Sequence, residues 1–230
     1  MSGGYAVVEL RRYALRPGAR ETLIDLFDRE FVESQEAVGA AVLGQFRDRD
    51  EPDRFVWLRG FADLAARHRA LTDFYGGPVW RRHRDAANAT MLDSDDVLLL
   101  RPAPGGPAWP DPGPRPPVGA PAPDSALVVT VLRPAGRRPF GALAGPVRRA
   151  AAAAGGRMLA ELETEEAENT YPALPVRTDG PVLVLITGFA GPAVADGFLA
   201  TLDANPDWTT GLDGPPEQLR LTPTGRSRLR

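Results

Sequence analysis

A proline-rich segment near the middle of the chain restricts the possible folds more than any other feature. From Arg101 to Asp124 the sequence reads RPAPGGPAWPDPGPRPPVGAPAPD. Proline recurs there too often for a helix or a strand and too irregularly for collagen. We therefore expect an extended linker that lets its flanking units dock in almost any orientation. It divides the 230 residues into a first repeat (1–100), the linker (101–124) and a second repeat (125–230).

Hydrophobic periodicity predicts the same order of elements on both sides of the linker. In the first repeat it indicates strands at 5–12, 40–46, 54–60 and 97–100 and helices at 23–36, 63–71 and 78–88. In the second repeat it indicates strands at 126–132, 157–163, 182–189 and 218–221 and helices at 139–154 and 192–202. The order βαββαβ is that of the ferredoxin-like fold. We therefore predict an α+β protein of two tandem ferredoxin-like repeats whose antiparallel sheets pack as an α+β barrel.

An offset of 128 residues relates the two repeats. At this offset Gly60-Phe61-Ala62 matches Gly188-Phe189-Ala190, Leu71 matches Leu199, and Pro78-Val79-Trp80 matches Pro206-Asp207-Trp208. At the same offset the second repeat has different residues at the candidate site positions of the first: Leu185 matches Trp57, Thr187 matches Arg59, Asp196 matches His68 and Gly211 matches His83. A single functional pocket should therefore lie in the first repeat, with the second repeat completing the barrel.

Composition excludes several kinds of site. The chain has no cysteine, and all 27 basic residues are arginine, so disulfides, thiolate nucleophiles, thiolate metal sites and lysine chemistry are absent. Two histidines fifteen residues apart, without an acid-rich loop of calcium-binding spacing, predict no metal. No glycine-rich dinucleotide motif is present, so we expect no cofactor. A net charge of -3 without a basic cluster argues against nucleic acid. Neither a signal peptide nor a membrane span is evident, which predicts a cytoplasmic protein, and the Arg-, Ala- and Pro-rich composition suggests GC-rich, actinobacterial coding.

Strand alternation groups the polar residues that could carry chemistry. Glu9 and Arg11 share one face of the first strand, and Trp57 and Arg59 share one face of the third. Because the opposite faces are aliphatic and should meet the helices, we expect these four side chains to line the barrel interior. They would form either an ion-pair network between the sheets or a polar patch that binds an anionic or enolic substrate.

Other candidate residues lie on helices and in one loop. His83 shares a helix face with Trp80 and is the better candidate for proton transfer, although a surface position is equally consistent. His68 is most simply a partly buried histidine bonded to the backbone, and Trp80 is most simply a packing residue. The segment 161–180 is either a solvated acidic loop or a lid whose Tyr171 contacts a ligand.

Several of these segments resemble the NIPSNAP family of the dimeric α+β barrel superfamily. The resemblance rests on Tyr5, Glu9-Leu10-Arg11, Tyr13, Leu15, Pro17-Gly18, the stretch Val56-Trp57-Leu58-Arg59-Gly60-Phe61, Leu64 and Ala65-Ala66-Arg67. The loop Glu168-Asn169-Thr170-Tyr171-Pro172-Ala173-Leu174-Pro175-Val176-Arg177 is similar to one in two-repeat bacterial members. The resemblance implies a barrel that a single-repeat relative forms by dimerising.

The superfamily resemblance implies several activities, among them cofactor-free monooxygenases of aromatic polyketides, isomerases, cyclases and ligand-binding proteins. Our leading hypothesis is a cofactor-independent enzyme of bacterial secondary metabolism that acts on an aromatic or polyketide-like intermediate. Arg11 and Arg59 would stabilise an enolate or phenolate, His83 or Glu9 would move a proton, and Trp57, Trp80, Tyr171 and His68 would bind substrate. The alternative is a non-catalytic ligand-binding or protein-interaction protein. A homodimer is compatible with either hypothesis.

Overall fold

The first half of the chain forms four strands and a set of helices in the order that periodicity predicts. A computed structural model describes residues 4–107, 109–110, 113–136 and 140–230. Its first-half elements are β1 (Val7–Leu15), α1 (Arg20–Leu26), a π-helical turn (Phe27–Phe31), α2 (Val32–Glu36), β2 (Ala41–Asp48), β3 (Arg54–Phe61), α3 (Leu64–Tyr75), α4 (Pro78–Asn88) and β4 (Met91–Pro102). Asp63 caps α3 through a 2.6 Å bond from the backbone N–H of Ala66 to its carboxylate.

The second half repeats this plan with fewer helices. Its elements are β5 (Ala126–Leu132), α5 (Phe140–Ala153), β6 (Arg157–Thr164), β7 (Leu183–Phe189), α6 (Pro192–Asp203), a 3-10 turn (Pro206–Thr209) and β8 (Glu217–Pro223). Pro139, where the sequence predicts the first helix of this half to begin, lies outside the described residues. The structure thus has the two ferredoxin-like repeats that the sequence predicts.

All eight strands join in one closed antiparallel barrel, in the order β1-β3-β2-β8-β5-β7-β6-β4. Two seams connect the repeats: β2 pairs with β8, and β4 pairs with β6. Closing the sheet on itself pairs both edges of each repeat, so no strand edge is left open.

The barrel interior is aliphatic, and the expected assignment of the strand faces is wrong. Val8 and Leu10 of β1 cluster with Leu127 and Val129 of β5 and with equivalent residues of the other strands. Glu9, Arg11, Trp57 and Arg59 instead face the helices of the first repeat, because their contacts are with α1 to α4. An eight-stranded barrel is just wide enough for its own side chains. Guanidinium groups inside it would lack partners, which explains the reversal.

The proline-rich segment is fastened to the barrel instead of acting as a free spacer. Arg115 donates to the carbonyl oxygens of Val42 at 2.5 Å and Arg226 at 2.9 Å. Trp109 packs edge-on against Tyr5, with 6.2 Å between ring centroids, and contacts the interior cluster. These contacts attach the segment to the barrel, while the boundaries of the linker and of the two repeats stay a prediction. Across the described residues no helix is long and apolar enough to cross a membrane.

Candidate functional site

A buried carboxylate with three guanidinium groups lies between the first-repeat sheet and its helices. Register places Glu9 of β1 opposite Arg59 of β3, and Arg11 opposite Trp57. Glu9 accepts hydrogen bonds from Arg11 Nη1 at 2.7 Å and Arg59 Nε at 2.8 Å on one oxygen, and from Arg67 Nε at 2.6 Å on the other. All four side chains are at most 2% exposed. We call these four residues the Glu9 network.

The Glu9 network carries more positive than negative charge. Glu9 is the only carboxylate that the described residues bring within ion-pair distance of Arg11, Arg59 or Arg67. Burial opposes ionisation of Glu9, but the charges of Arg59, Arg11 and Arg67 outweigh it and hold its pKa well below the usual range. Glu9 therefore stays ionised and is a poor proton acceptor. An unbalanced positive charge at this depth is costly unless an anion or water joins it.

Several hydrogen-bond donors in and next to the Glu9 network have no acceptor among the described residues. The Nη2 atoms of Arg59 and Arg67 and the indole Nε1 of Trp57 are buried without a hydrogen bond among the described residues. Arg59 Nη2 lies 2.8 Å from Glu9, but only its Nε is aligned for a hydrogen bond. Every one of these atoms is a donor. An oxyanion bound at this site would supply the hydrogen-bond acceptor that these donors lack among the described residues.

A cavity of about 140 Å³ lies directly over Trp57 and Arg11. Half of the lining residues are aromatic, and the lining consists of Arg11, Tyr13, Leu23, Phe27, Phe31, Gln35, Trp57, Phe74, Tyr75, Trp80, Asn88, Met91, Ser94 and Leu174. A cavity of about 150 Å³ can hold benzene. The space therefore fits one aromatic ring, and we call it the ring cavity.

Arg11 is the charged group that the Glu9 network presents to the ring cavity. Its Nε donates to the Tyr13 hydroxyl at 3.0 Å, and its guanidinium carbon lies 5.6 Å from the Trp57 ring centroid. The Arg59 guanidinium carbon lies 5.1 Å from the same ring. Burial raises the pKa of Tyr13, the positive charge of Arg11 opposing it, so the phenol stays neutral. Arg11, Tyr13 and Trp57 are thus neighbouring residues in the lining of the ring cavity.

The second repeat supplies the cover of the ring cavity. The loop between β6 and β7 crosses α3, where Leu174 enters the cavity lining and Tyr171 stacks on Tyr75 with 6.1 Å between ring centroids. Arg67 Nη1 donates to Asn169 Oδ1 at 2.9 Å and to Thr170 Oγ1 at 3.2 Å. A loop of the second repeat therefore contributes a residue to the lining of a cavity in the first, and its role as a lid stays a prediction. Glu161 and Glu163, predicted as part of a solvated loop, are buried in β6 and paired with Arg148 and Arg101.

The structure brings some of the predicted site residues together and separates others. Arg11, Trp57 and Trp80 line the ring cavity, and Glu9 and Arg59 lie behind it. His83 is outside the lining, with its Nε2 3.4 Å from Glu30. His68 is exposed and meets the carbonyl of Thr170 through Nδ1 at 2.6 Å. Tyr171 is not in the lining but stacks on Tyr75, which is. Within the described part of the chain no group of three or more potential metal ligands is present.

Arg67 is the network member that the sequence-based set of site residues misses. It occupies the apolar stripe of α3, three residues after Leu64 and four before Leu71, and is completely buried. A charged side chain in a buried helical stripe was the available signal. Tyr75 and Leu174 gave no such signal, since aromatic and aliphatic residues at helical or loop positions usually only pack.

The equivalent position in the second repeat is filled. At the positions of Trp57, Arg59 and Arg67 it has Leu185, Thr187 and Ala195. Leu185 and Ala195 belong to an apolar cluster with Val128, Phe198 and Trp208. At these positions the second repeat therefore has apolar or smaller side chains in place of the site residues, as the 128-residue offset predicts.

Comparison with known proteins supports the fold and the family. Along its whole length the chain is similar to the solved structure of an anthrone oxidase-like protein, with 12% identity, a TM-score of 0.61 and coverage of 97% of this chain and 93% of the other. A candidate monooxygenase from Lactobacillus acidophilus has 12% identity, a TM-score of 0.59 and coverage of 95% and 94%. At these identities the likeness concerns the fold.

Solved structures of NIPSNAP family proteins cover less than half of the chain. An uncharacterised NIPSNAP-like domain protein from Burkholderia xenovorans has 27% identity and a TM-score of 0.42, covering 46% of this chain and 93% of its own. A search of curated proteins gave no significant match. The NIPSNAP family model matches residues 8–107, which include all four members of the Glu9 network. Residues 8–107, which carry the network and most of the ring cavity, therefore match the NIPSNAP family.

Proposed function

We propose that the ring cavity binds a small aromatic compound as its anion and that the protein oxidises this compound with molecular oxygen without a bound cofactor. The observation that carries the proposal is the wall formed by Arg11 and Trp57. There the guanidinium of Arg11, which belongs to a network with excess positive charge, lies beside the Trp57 ring in the lining of a cavity of about 140 Å³. Such a wall favours a phenolate or enolate over the neutral ring.

The residues of the lining suggest how the anion is formed. The lining contains neither a carboxylate nor a histidine, and Tyr13 is held neutral. The substrate must therefore be acidic enough to lose its proton to solvent, with the nearby charge of Arg11 lowering the pKa of the bound compound. Arg11 and Trp57 then hold the oxyanion, which makes the ring electron-rich, while the aromatic walls exclude water.

A ring anion can reduce oxygen without an added reductant. In the proposed reaction an activated ring CH₂ becomes a carbonyl: the carbon loses two hydrogens and gains one oxygen atom, and the second oxygen atom leaves as water. The substrate supplies all the electrons that O₂ accepts, so no flavin or metal is needed. The names of two structural neighbours, one anthrone oxidase-like and one a candidate monooxygenase, support this reaction class.

A second candidate function is binding without turnover. The observation that favours it is Glu9, which is fully engaged by three arginines and cannot act as a base. A protein that only sequesters an aromatic anion would need the same Arg11 and Trp57 wall. Cytoplasmic location, a role in secondary metabolism and a homodimer stay predictions under either function.

An oxygen electrode distinguishes the two functions. Purified protein is mixed with single-ring phenols that carry an activated CH₂, and products are identified by mass spectrometry. We expect oxygen uptake with gain of one oxygen and loss of two hydrogens, and a fall of at least about a hundredfold in Arg11→Met. Arg101→Met, at an exposed arginine on the β4–β6 seam, serves as the control. Binding of the phenols without oxygen uptake would instead establish the second function.

A further inference from the structure

Arg67 forms hydrogen bonds with two parts of the molecule, the Glu9 carboxylate and the loop of the second repeat. Its Nε holds Glu9 at 2.6 Å, and its Nη1 holds Asn169 and Thr170 of the second-repeat loop at 2.9 and 3.2 Å. Its side chain is completely buried, yet it is not part of the ring-cavity lining. Any effect of Arg67 on a ligand must therefore pass through its partners.

Glu9 connects Arg67 to the ring cavity. The same carboxylate that accepts from Arg67 accepts from Arg11 Nη1 at 2.7 Å. The other contacts of the Arg11 guanidinium are the Tyr13 hydroxyl at 3.0 Å and the Ser94 carbonyl at 3.4 Å, so its bond to Glu9 is the shortest and charge-assisted. The orientation of Glu9 consequently decides where the guanidinium of Arg11 points.

The loop itself is fastened at its ends and held in its middle. Glu165 and Arg177 donate backbone hydrogen bonds to Leu99 and Val97 of β4 at 2.9 and 2.8 Å. Between these anchors, the contacts of Thr170 with α3 are hydrogen bonds to Arg67, to His68 and to the Leu64 carbonyl. Of these partners only Arg67 also belongs to the Glu9 network, and Leu174 of the same loop closes the ring cavity.

From these contacts we infer that Arg67 is a positioning residue: it couples closure of the second-repeat loop over the ring cavity to the orientation of Arg11, through Glu9. When residues 166–176 lie in place, Asn169 and Thr170 hold the guanidinium of Arg67 in one orientation. Arg67 in turn holds the Glu9 carboxylate, and Glu9 orients the guanidinium of Arg11 toward the ligand. When the loop lifts, Nη1 loses its acceptors and the carboxylate gains freedom. The inference depends on the proposed function only in taking the ligand of the ring cavity to be an aromatic anion.

Arg67→Lys is the decisive variant. It keeps the charge but replaces a fork with one ammonium group, which cannot hold Glu9 and the loop together. We expect hydrogen exchange of peptides spanning 166–176, followed by mass spectrometry, to accelerate at least about tenfold. Arg101→Lys is the matched control, because Arg101 also joins the repeats, through a 2.9 Å bond to Glu163. It should leave exchange in 166–176 unchanged.

A coloured phenol measures the second half of the inference. The anion of 4-nitrophenol absorbs visible light, so its ionisation in the ring cavity can be read directly. We expect the wild-type protein to lower the pKa of the bound probe by about one unit, which is about tenfold tighter binding of the anion. In Arg67→Lys most of this shift should be lost although Arg67 does not line the cavity, an effect that a purely structural role would not produce.

The two measurements separate the possible failures. If Arg67→Lys shows wild-type exchange in 166–176 and a wild-type pKa of the bound probe, the inference is overturned. If 4-nitrophenol does not bind the wild-type protein, the proposed ligand class is wrong, and the exchange result alone decides whether Arg67 holds the loop. Thr170→Val removes one acceptor of Arg67 without changing charge, and an unaltered loop exchange in that variant as well would count against the coupling.

Discussion

Three arginines around one carboxylate define the site at the scale of single residues. Isolated ionised groups are rarely buried completely, and here four of them are buried together because each guanidinium holds Glu9 in a hydrogen bond. Removing the carboxylate would leave the arginines to repel one another in a medium that screens charge poorly. Glu9 is therefore required for stability whether or not the protein is an enzyme.

Glu9→Gln should lower the free energy of unfolding by about 3–5 kcal/mol, because it leaves buried charges without a counter-ion. The pH dependence follows from the lowered pKa of Glu9, whose ordinary value is 4.5. The stabilisation by ionised Glu9 is complete above that value and is lost as the pH falls toward the folded-state pKa. Urea titrations from about pH 7 to about pH 3 should show a smaller acid loss in the variant than in the wild type. Equal acid sensitivity would contradict the assignment.

Trp57→Phe tests the indole N–H without disturbing the charges. The substitution removes a buried donor that has no partner in the described structure, so the cost in stability should be small. If Nε1 serves a ligand oxygen, affinity for 4-nitrophenolate should weaken about tenfold. A binding titration measures the effect, and Trp80→Phe provides a comparison at a second tryptophan of the same cavity. An equal loss in both variants would show that ring area, and not the N–H, matters.

Strands and helices divide the work at the scale of elements. β1 and β3 present aliphatic side chains to the barrel and carry Glu9 and Arg59 on the side that faces the helices, while α3 brings Arg67 to the network and α4 brings Trp80 to the ring cavity. Alternation in the sequence predicts two different faces for these two strands, and the structure has them. It does not tell which face is inside, since this depends on whether a second sheet or a helix layer packs there.

Sequence reasoning therefore predicted the elements better than the site. The fold followed from local periodicity and from the repeat. The site depends on contacts between distant segments, such as Arg67 with Thr170 and Leu174 with the first repeat. No local pattern encodes such contacts. His83 was favoured for its chemistry, yet the turn of α4 places it beside Glu30 instead of in the cavity.

Loss of the α3 cap should weaken the element that carries Arg67. Asp63→Ala removes the acceptor for the N–H of Ala66 and should cost about 1 kcal/mol of unfolding free energy. Asp73→Ala, on the exposed side near the end of the same helix, should be neutral or slightly stabilising because an acid there opposes the helix dipole. Chemical denaturation of both variants measures the difference. Similar losses in the two would exclude capping as the cause.

The two repeats form one cooperative unit at the scale of the whole molecule. Their inward side chains share a single cluster, in which Leu10 of the first repeat and Ile186 of the second both take part. Arg12 also bonds Asp96 of its own repeat at 2.8 Å and Glu217 of the other at 2.6 Å. Neither sheet can keep its inner face dry without the other.

Calorimetry should therefore show one unfolding transition. Leu10→Ala and Ile186→Ala each remove a buried side chain from the shared interior and should each cost about 2–5 kcal/mol. Because the interior is common, either substitution should shift the whole heat-capacity peak to lower temperature. A thermogram that splits, with each variant moving a different peak, would show that the repeats unfold independently.

The filled pocket of the second repeat has a consequence for how the molecule can change. A barrel assembled from two identical chains alters both of its cavities with every mutation, so activity and packing must be improved by the same residues. In this chain, a substitution at Leu185, Thr187 or Ala195 leaves Trp57, Arg59 and Arg67 unchanged. Stability and activity, which compete at the same residues in many enzymes, are thereby determined by residues in different halves of the chain. Thermostabilising substitutions can be concentrated in one half while specificity is reshaped in the other.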